Sequence, residues 1–196
     1  MALYRDPKPW LFLLCLYPLG RLIFLAWADG LGANPIEFVT RSLGTWALTG
    51  LLVTLAVTPA RRLSGVGALL RYRRMLGLFA FFYGVLHLLS YLWLDQFFEW
   101  AAIAKDILKR PFVTFGMAAL ALLLPLALTS TKASMRRLGR NWQRLHRLIY
   151  PAAVVAVLHY AWLVKKDLTQ PPIYAGMLAV LLSLRIYWGL KKTKAG

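Results

Sequence analysis

The sequence predicts an all-α integral membrane protein: a bundle of six transmembrane helices with both termini in the cytoplasm, forming one domain over residues 1–196. Three observations predict it. The chain is 60% hydrophobic and only 16% charged, where a soluble domain carries roughly 45–50% apolar and about 25% charged residues. Six apolar runs approach the roughly 20 residues that a helix needs to cross a bilayer. No stretch shows the period-2 alternation of a barrel strand. The 24 Lys and Arg against 7 Asp and Glu, a formal charge of +17, would suggest nucleic acid on a soluble chain. On this apolar chain basic cytoplasmic loops account for it, and no nucleic-acid partner is expected.

The first run, Trp10–Ala28, follows Arg5 and Lys8. Ala26-Trp27-Ala28 formally fits a signal-peptide cleavage site, but the run is long for one and contains Arg21, so a retained helix is expected. The other runs are Leu43–Thr58, Met75–Leu94, Phe112–Thr129, Leu148–Val164 and Ile173–Leu190, with Pro59, Pro111, Pro171 and Pro172 near their ends. Little is left over for other structure. The connections set the orientation. One side holds Arg5 and Lys8, then Arg61, Arg62, Arg71, Arg73 and Arg74, then the basic residues from Lys132 to Arg147, then the tail lysines. The other holds only Arg41, Lys105, Lys109, Arg110, Lys165 and Lys166. The positive-inside rule makes the first side cytoplasmic. The single Cys15 excludes an intrachain disulfide or a cysteine metal cluster.

Three histidines carry the chemistry. His87 lies seven residues before the outer end of the third run and His159 five before that of the fifth. At about 1.5 Å per residue the two share a depth in the outer half of the bilayer. Intramembrane histidine is expensive and is functional by default. Two neutral imidazoles facing each other across a bundle are what a six-coordinate b-type haem iron requires. A buried interhelical hydrogen bond is the alternative. Gly84 and Ala156, each three residues before a histidine, share its helix face and leave room for a macrocycle or for ordinary helix packing. His146 lies near the cytoplasmic start of the fifth run, about 20 Å from His159 along the axis. A partner at its depth on the third helix would fall near position 73 or 74, just before the apolar run; both are arginines, and arginine is not an iron ligand. His146 is therefore a candidate for an inner cofactor or quinone site, or a capping residue.

Arg21 sits at the depth of the proposed haem and suits a propionate, or snorkels to the interface. Arg185 near the inner end of the sixth run reads as snorkelling. The clusters around Arg73 and Arg74 and around Arg136, Arg137 and Arg140 suit a flavin phosphate or lipid head groups, and topology alone also explains them. Gly65-Val66-Gly67 does not complete a nicotinamide fingerprint.

The histidine pattern resembles the ferric-reductase-like transmembrane superfamily, whose members hold two stacked haems on histidine pairs of the third and fifth helices. Here the fifth helix keeps a thirteen-residue pair and the third keeps one histidine. The segments LGANPIEF (31–38), RYRRMLGLFAFFYGVLH (71–87), DILKRPFVTFGMAALALLLPLALTS (106–130), RRLGRNWQRLHRLIY (136–150) and LHYAWLVKKD (158–167) resemble the MsrQ (YedZ) family, the haem-binding subunits of bacterial protein-methionine-sulfoxide reductase systems. The resemblance implies a multi-pass inner-membrane subunit carrying haem b and FMN, with ligand histidines at His87, His146 and His159. It implies electron transfer from quinone or a flavin donor to a periplasmic molybdopterin reductase subunit, MsrP. A small proton or ion transporter using His87, His159 and Arg21, and a stand-alone transmembrane ferric reductase, are the competing readings.

Overall fold

The computed structural model describes residues 6–164 and 169–194, with side chains described to Lys191. Arg5, Lys165 and Lys166, counted above for orientation, lie outside the described residues. All regular structure among the described residues is helical. Among the described residues, five helices are long and apolar enough to cross a membrane: α1 (Lys8–Trp27), α2 (Pro35–Ser64), α3 (Leu70–Leu89) with the π-helical segment Ser90–Asp95 that continues it, α5 (Pro111–Leu128) and α9 (Pro171–Lys194). The sixth expected run is a shorter helix, α8 (Ile149–Leu163), preceded by a 3-10 turn at His146–Leu148.

Three further helices correct the expectation that little lies between the runs: α4 (Trp100–Lys109), α6 (Lys132–Leu138) and α7 (Arg140–Leu145). Their segments are too short to register as spans. Thr131 caps α6 by accepting from the Ser134 N–H, an N-cap preference of hydroxyl side chains. Gly139, at φ +50°, supplies the backbone turn between α6 and α7.

The long helices are also bounded by their own sequence. Asn34 caps α2, accepting from the Glu37 N–H, with Pro35 at the first helical position and Gly65 in the left-handed conformation at the end. That start lies eight residues before the apolar run, because Ile36, Phe38 and Val39 continue the helix across charged Glu37 and Arg41. Pro111 opens α5 in the same way.

The core is built mainly by α2 and α8. Leu48, Leu51, Leu52 and Leu55 of α2 meet Ala80 of α3, Leu126 of α5, Ala153 and Val157 of α8, and Leu178 of α9. The two closest helix pairs are α2 with α3 and α5 with α8. They form two hairpins facing each other, and the site lies between them.

Helix α1 docks on this frame through Tyr83 of α3. The phenol, 3% exposed, donates to the Cys15 carbonyl at 2.6 Å and accepts from the Leu19 N–H at 3.3 Å. It sits beside Pro18, where the missing proline N–H loosens the helix ladder. The outer faces of α1 and α9 are apolar and exposed, Leu14, Ile23 and Phe24 on one and Val180, Ile186 and Leu190 on the other. In lipid that is the expected surface.

Candidate haem site

Between the two hairpins lies a cavity of about 730 Å³, within the usual cofactor range of roughly 300–1,000 Å³. His87 and His159 line it from opposite sides, and Gly84 and Ala156 line it with them. The ring centroids of the two imidazoles are 6.0 Å apart with their planes at 69°.

Each imidazole is anchored in the same way. His87 Nδ1 is 2.9 Å from the Thr40 carbonyl of α2, and His159 Nδ1 is 2.6 Å from the Phe112 carbonyl of α5. A carbonyl only accepts, so each Nδ1 must carry the proton and donate. The tautomer is thereby set, and both Nε2 lone pairs are left bare. Metal-binding histidine almost always donates its other ring N–H in this way. Ser90 at the start of the π-helical segment donates to the His87 carbonyl at 2.8 Å, tying the change of helical winding to the histidine.

The spacing fits a metal held between the rings. A metal–imidazole bond of about 2 Å plus roughly 1 Å to the ring centre, taken twice, gives about 6 Å between centroids. The walls are apolar on the inner side, with Leu48, Leu51 and Leu123, while the outer mouth carries Asn34, Glu37, Arg41, Asp95 and Arg110. Arg41 pairs with Glu37 at 2.7 Å and Arg110 with Asp106 at 3.2 Å. These two arginines were counted by sequence only as outer-loop charges, yet they stand at the mouth of the cavity. Their signal was a position at a helix start: Arg41 within the first two turns of α2, Arg110 immediately before α5.

The remaining expected residues fall elsewhere. Arg21 does not line the histidine cavity. It opens onto a separate outer cleft of about 510 Å³ shared with Glu37, Arg41 and Trp46. Depth alone placed it level with the histidines, but its direction around α1 differs.

At the inner end Arg73 is within electrostatic reach of His146, Arg185 and Tyr150. The His146 ring stacks on Trp142 at 3.8 Å and its Nδ1 bonds the Trp142 carbonyl at 3.1 Å. Its Nε2 is buried against the α5 backbone near Leu126 without a well-formed hydrogen bond. Arg74 is exposed. Arg185 is not a snorkelling side chain: it donates to the Tyr150 hydroxyl at 2.7 Å and to the Leu55 carbonyl at 2.8 Å. Leu55 is fully buried, so its carbonyl draws the guanidinium inward.

The comparisons agree with this architecture. The family model for the ferric reductase like transmembrane component matches residues 43–157. A relative in Rhodospirillum rubrum is 55% identical over 186 residues, covering 94% of this chain and 89% of its own length. One in Azospira oryzae is 56% identical over 181 residues (91% and 78%), and one in Herminiimonas arsenicoxydans 51% over 188 (94% and 86%). All three are named protein-methionine-sulfoxide reductase heme-binding subunit MsrQ. No solved structure matches. With two anchored imidazoles facing each other inside an all-helical membrane domain and matches over nearly its whole length, this chain belongs to the MsrQ family of haem-binding subunits.

Proposed function

We propose that this chain is a haem b electron-transfer subunit of the bacterial inner membrane, passing electrons from the quinone pool or a flavin donor to a periplasmic molybdopterin methionine sulfoxide reductase, MsrP. The observation that carries the reading is the imidazole pair at 6.0 Å, each ring with Nδ1 committed to a backbone carbonyl. In this reading residues 1–196 form one domain of six spans with both termini cytoplasmic. α8 serves as the sixth span although it is short, because it packs on α5, α9 and α2.

His87 and His159 would hold the iron through Nε2. Gly84 and Ala156 line the cavity where the macrocycle would lie, and Arg41 and Arg110 stand where propionates would meet water. Arg21 keeps a secondary role in holding the outer mouth through its cleft with Glu37 and Arg41. When bound, haem supplies one-electron carriage, which the protein tunes by ligation and surroundings. Two protein ligands leave no open coordination position, which favours electron transfer over oxygen chemistry. Sulfoxide reduction is assigned to the partner. The flavin implied by family resemblance has its best chemical match at the inner end, where Arg73 lies near His146 and Arg74 is exposed. A quinone head group is the other occupant suited to His146.

The test is the reduced-minus-oxidised optical spectrum of the purified protein, with haem quantified, for wild type and the three histidine-to-alanine variants. A low-spin b-type spectrum lost in His87→Ala and His159→Ala is expected. A colourless wild type produced with ample haem would overturn the reading and favour a transporter. Rapid reduction of external ferric chelates without any protein acceptor would favour a stand-alone ferric reductase.

A further inference from the structure

The two histidine anchors are copies of one another. Thr40, Gly44 and His87 recur 72 positions later as Phe112, Gly116 and His159, and Ala47, Leu48 and Ala80 recur as Ala119, Leu120 and Ala152. The hydrogen bond from imidazole to carbonyl spans 47 positions in both halves. In each half, the residue four positions after the accepting carbonyl is glycine.

We propose that Gly44 and Gly116 are positioning residues that form two equivalent imidazole cradles, holding His87 and His159 flat enough on the backbone of α2 and α5 to reach the carbonyls of Thr40 and Phe112. The geometry is direct. A Cβ on Gly44 would lie 3.1 Å from both Cε1 and Nδ1 of His87, and one on Gly116 would lie 3.0 Å from the same atoms of His159. Ordinary contact begins near 3.4 Å. Residues at i and i+4 share a helix face, so the side chain of any other residue would stand where the ring must lie to reach the carbonyl.

The other intramembrane glycines differ. A Cβ on Gly50 would meet the backbone and Cβ of Ala80, and one on Gly77 would meet Thr54. Those glycines serve helix–helix approach. At Gly44 and Gly116 the three nearest atoms all belong to the imidazole. The cradles therefore fix ring position and tautomer together, leaving Nε2 free. Their relevance to haem rests on the function proposed above, whereas the contact between glycine and imidazole does not.

The test compares wild type, Gly44→Ala, Gly116→Ala and the control Gly176→Ala, whose added Cβ meets nothing within 4 Å. Haem-to-protein ratio, the low-spin electron paramagnetic resonance signature and the midpoint potential are measured. Both cradle variants are expected to bind at least two-fold less haem, or to shift the low-spin signature and the potential, while the control matches wild type. Wild-type signature, potential and haem content in both cradle variants would overturn the proposal. If Gly44→Ala fails to fold, it is paired with His87→Ala. Removing the ring should restore folding to the level of His87→Ala alone, and failure to restore it would assign the glycine to helix packing and overturn the proposal. A wild type without haem defeats the haem reading only. The thermal stabilities of the same single and double variants then decide the cradle, which requires that the alanine cost vanish when the histidine is removed.

Discussion

Replacing Tyr83 by phenylalanine isolates a single hydroxyl at the seam between α1 and α3. Phenylalanine keeps the ring and nearly all its volume, so no cavity forms, and volume-conserving core changes are mild. What is lost is a 2.6 Å bond to the Cys15 carbonyl and a 3.3 Å bond from the Leu19 N–H. The first is short. The second lies beyond the usual range of about 2.7–3.2 Å and contributes little. Interhelical hydrogen bonds within membranes average about 0.6 kcal/mol and reach about 1.7 kcal/mol. The Cys15 carbonyl and the Leu19 N–H are also four residues apart on one α-helix, so each has a helical partner once the hydroxyl leaves. We therefore predict that Tyr83→Phe costs about 1 kcal/mol. For a chain of this size that lowers the melting temperature by roughly 2–4 °C. Thermal unfolding of the purified protein in mild detergent measures it, with Tyr83→Ala as the companion that also removes the ring. Tyr83→Phe should retain most of the stability and Tyr83→Ala should lose several-fold more. A phenylalanine variant as unstable as the alanine variant would refute the reasoning, because the hydroxyl would then carry the docking. Wild-type stability in both would show that α1 is not held through this residue.

Further outcomes follow from the same structure. His146→Ala should leave the spectrum of the outer haem intact, because Trp142 and Arg73 surround it rather than the cavity of His87 and His159; loss of all haem in that variant would show otherwise. Arg185→Lys should lower thermal stability by about 1–2 kcal/mol, since a lysine lacks the fork that reaches Tyr150 and the Leu55 carbonyl together; an unchanged melting curve would count against that pairing. Arg41→Gln and Arg110→Gln should each lower the midpoint potential, because removing a nearby positive charge disfavours the added electron. A potentiometric titration showing no change in either would remove these arginines from the neighbourhood of the haem.

Much of this arrangement was legible in the sequence because bilayer thickness and helical rise are fixed quantities. The apolar runs located the long helices, and the rise per residue put His87 and His159 at one depth before any contact was known. Depth says nothing of direction around a helix axis, which is why Arg21 was placed near the histidines while it faces another cleft. The carbonyls of Thr40 and Phe112 could not be read from residue identity, since every residue has one. Gly44 and Gly116 did leave a trace, the same interval to the following histidine in both halves, but that interval gains meaning only once the hairpins are seen to face each other. The helices α6 and α7 escaped because their short basic segments carry too few apolar residues to show a period, whereas α4 is amphipathic, with Ile103 buried, and escaped because its ten residues are too short to span a bilayer.

The short length of α8 bears on how an electron would leave the protein in the function proposed above. Its 15 residues cover about 22 Å at the normal helical rise, against a hydrocarbon slab about 30 Å thick. A lone helix that short would force lipids to thin around it. α8 is held by the bundle on one face, where Ala152 and Ala153 are completely enclosed, and is exposed on the other at Val154, Leu158 and Trp162. His159 lies one helical turn from the outer end of α8, and its ring is bonded to the carbonyl of Phe112, the second residue of α5. That histidine is within about 6 Å along the axis of the outer ends of both helices that hold it, so in the function proposed above a docking partner's redox centre would face it across far less than the full thickness of the membrane.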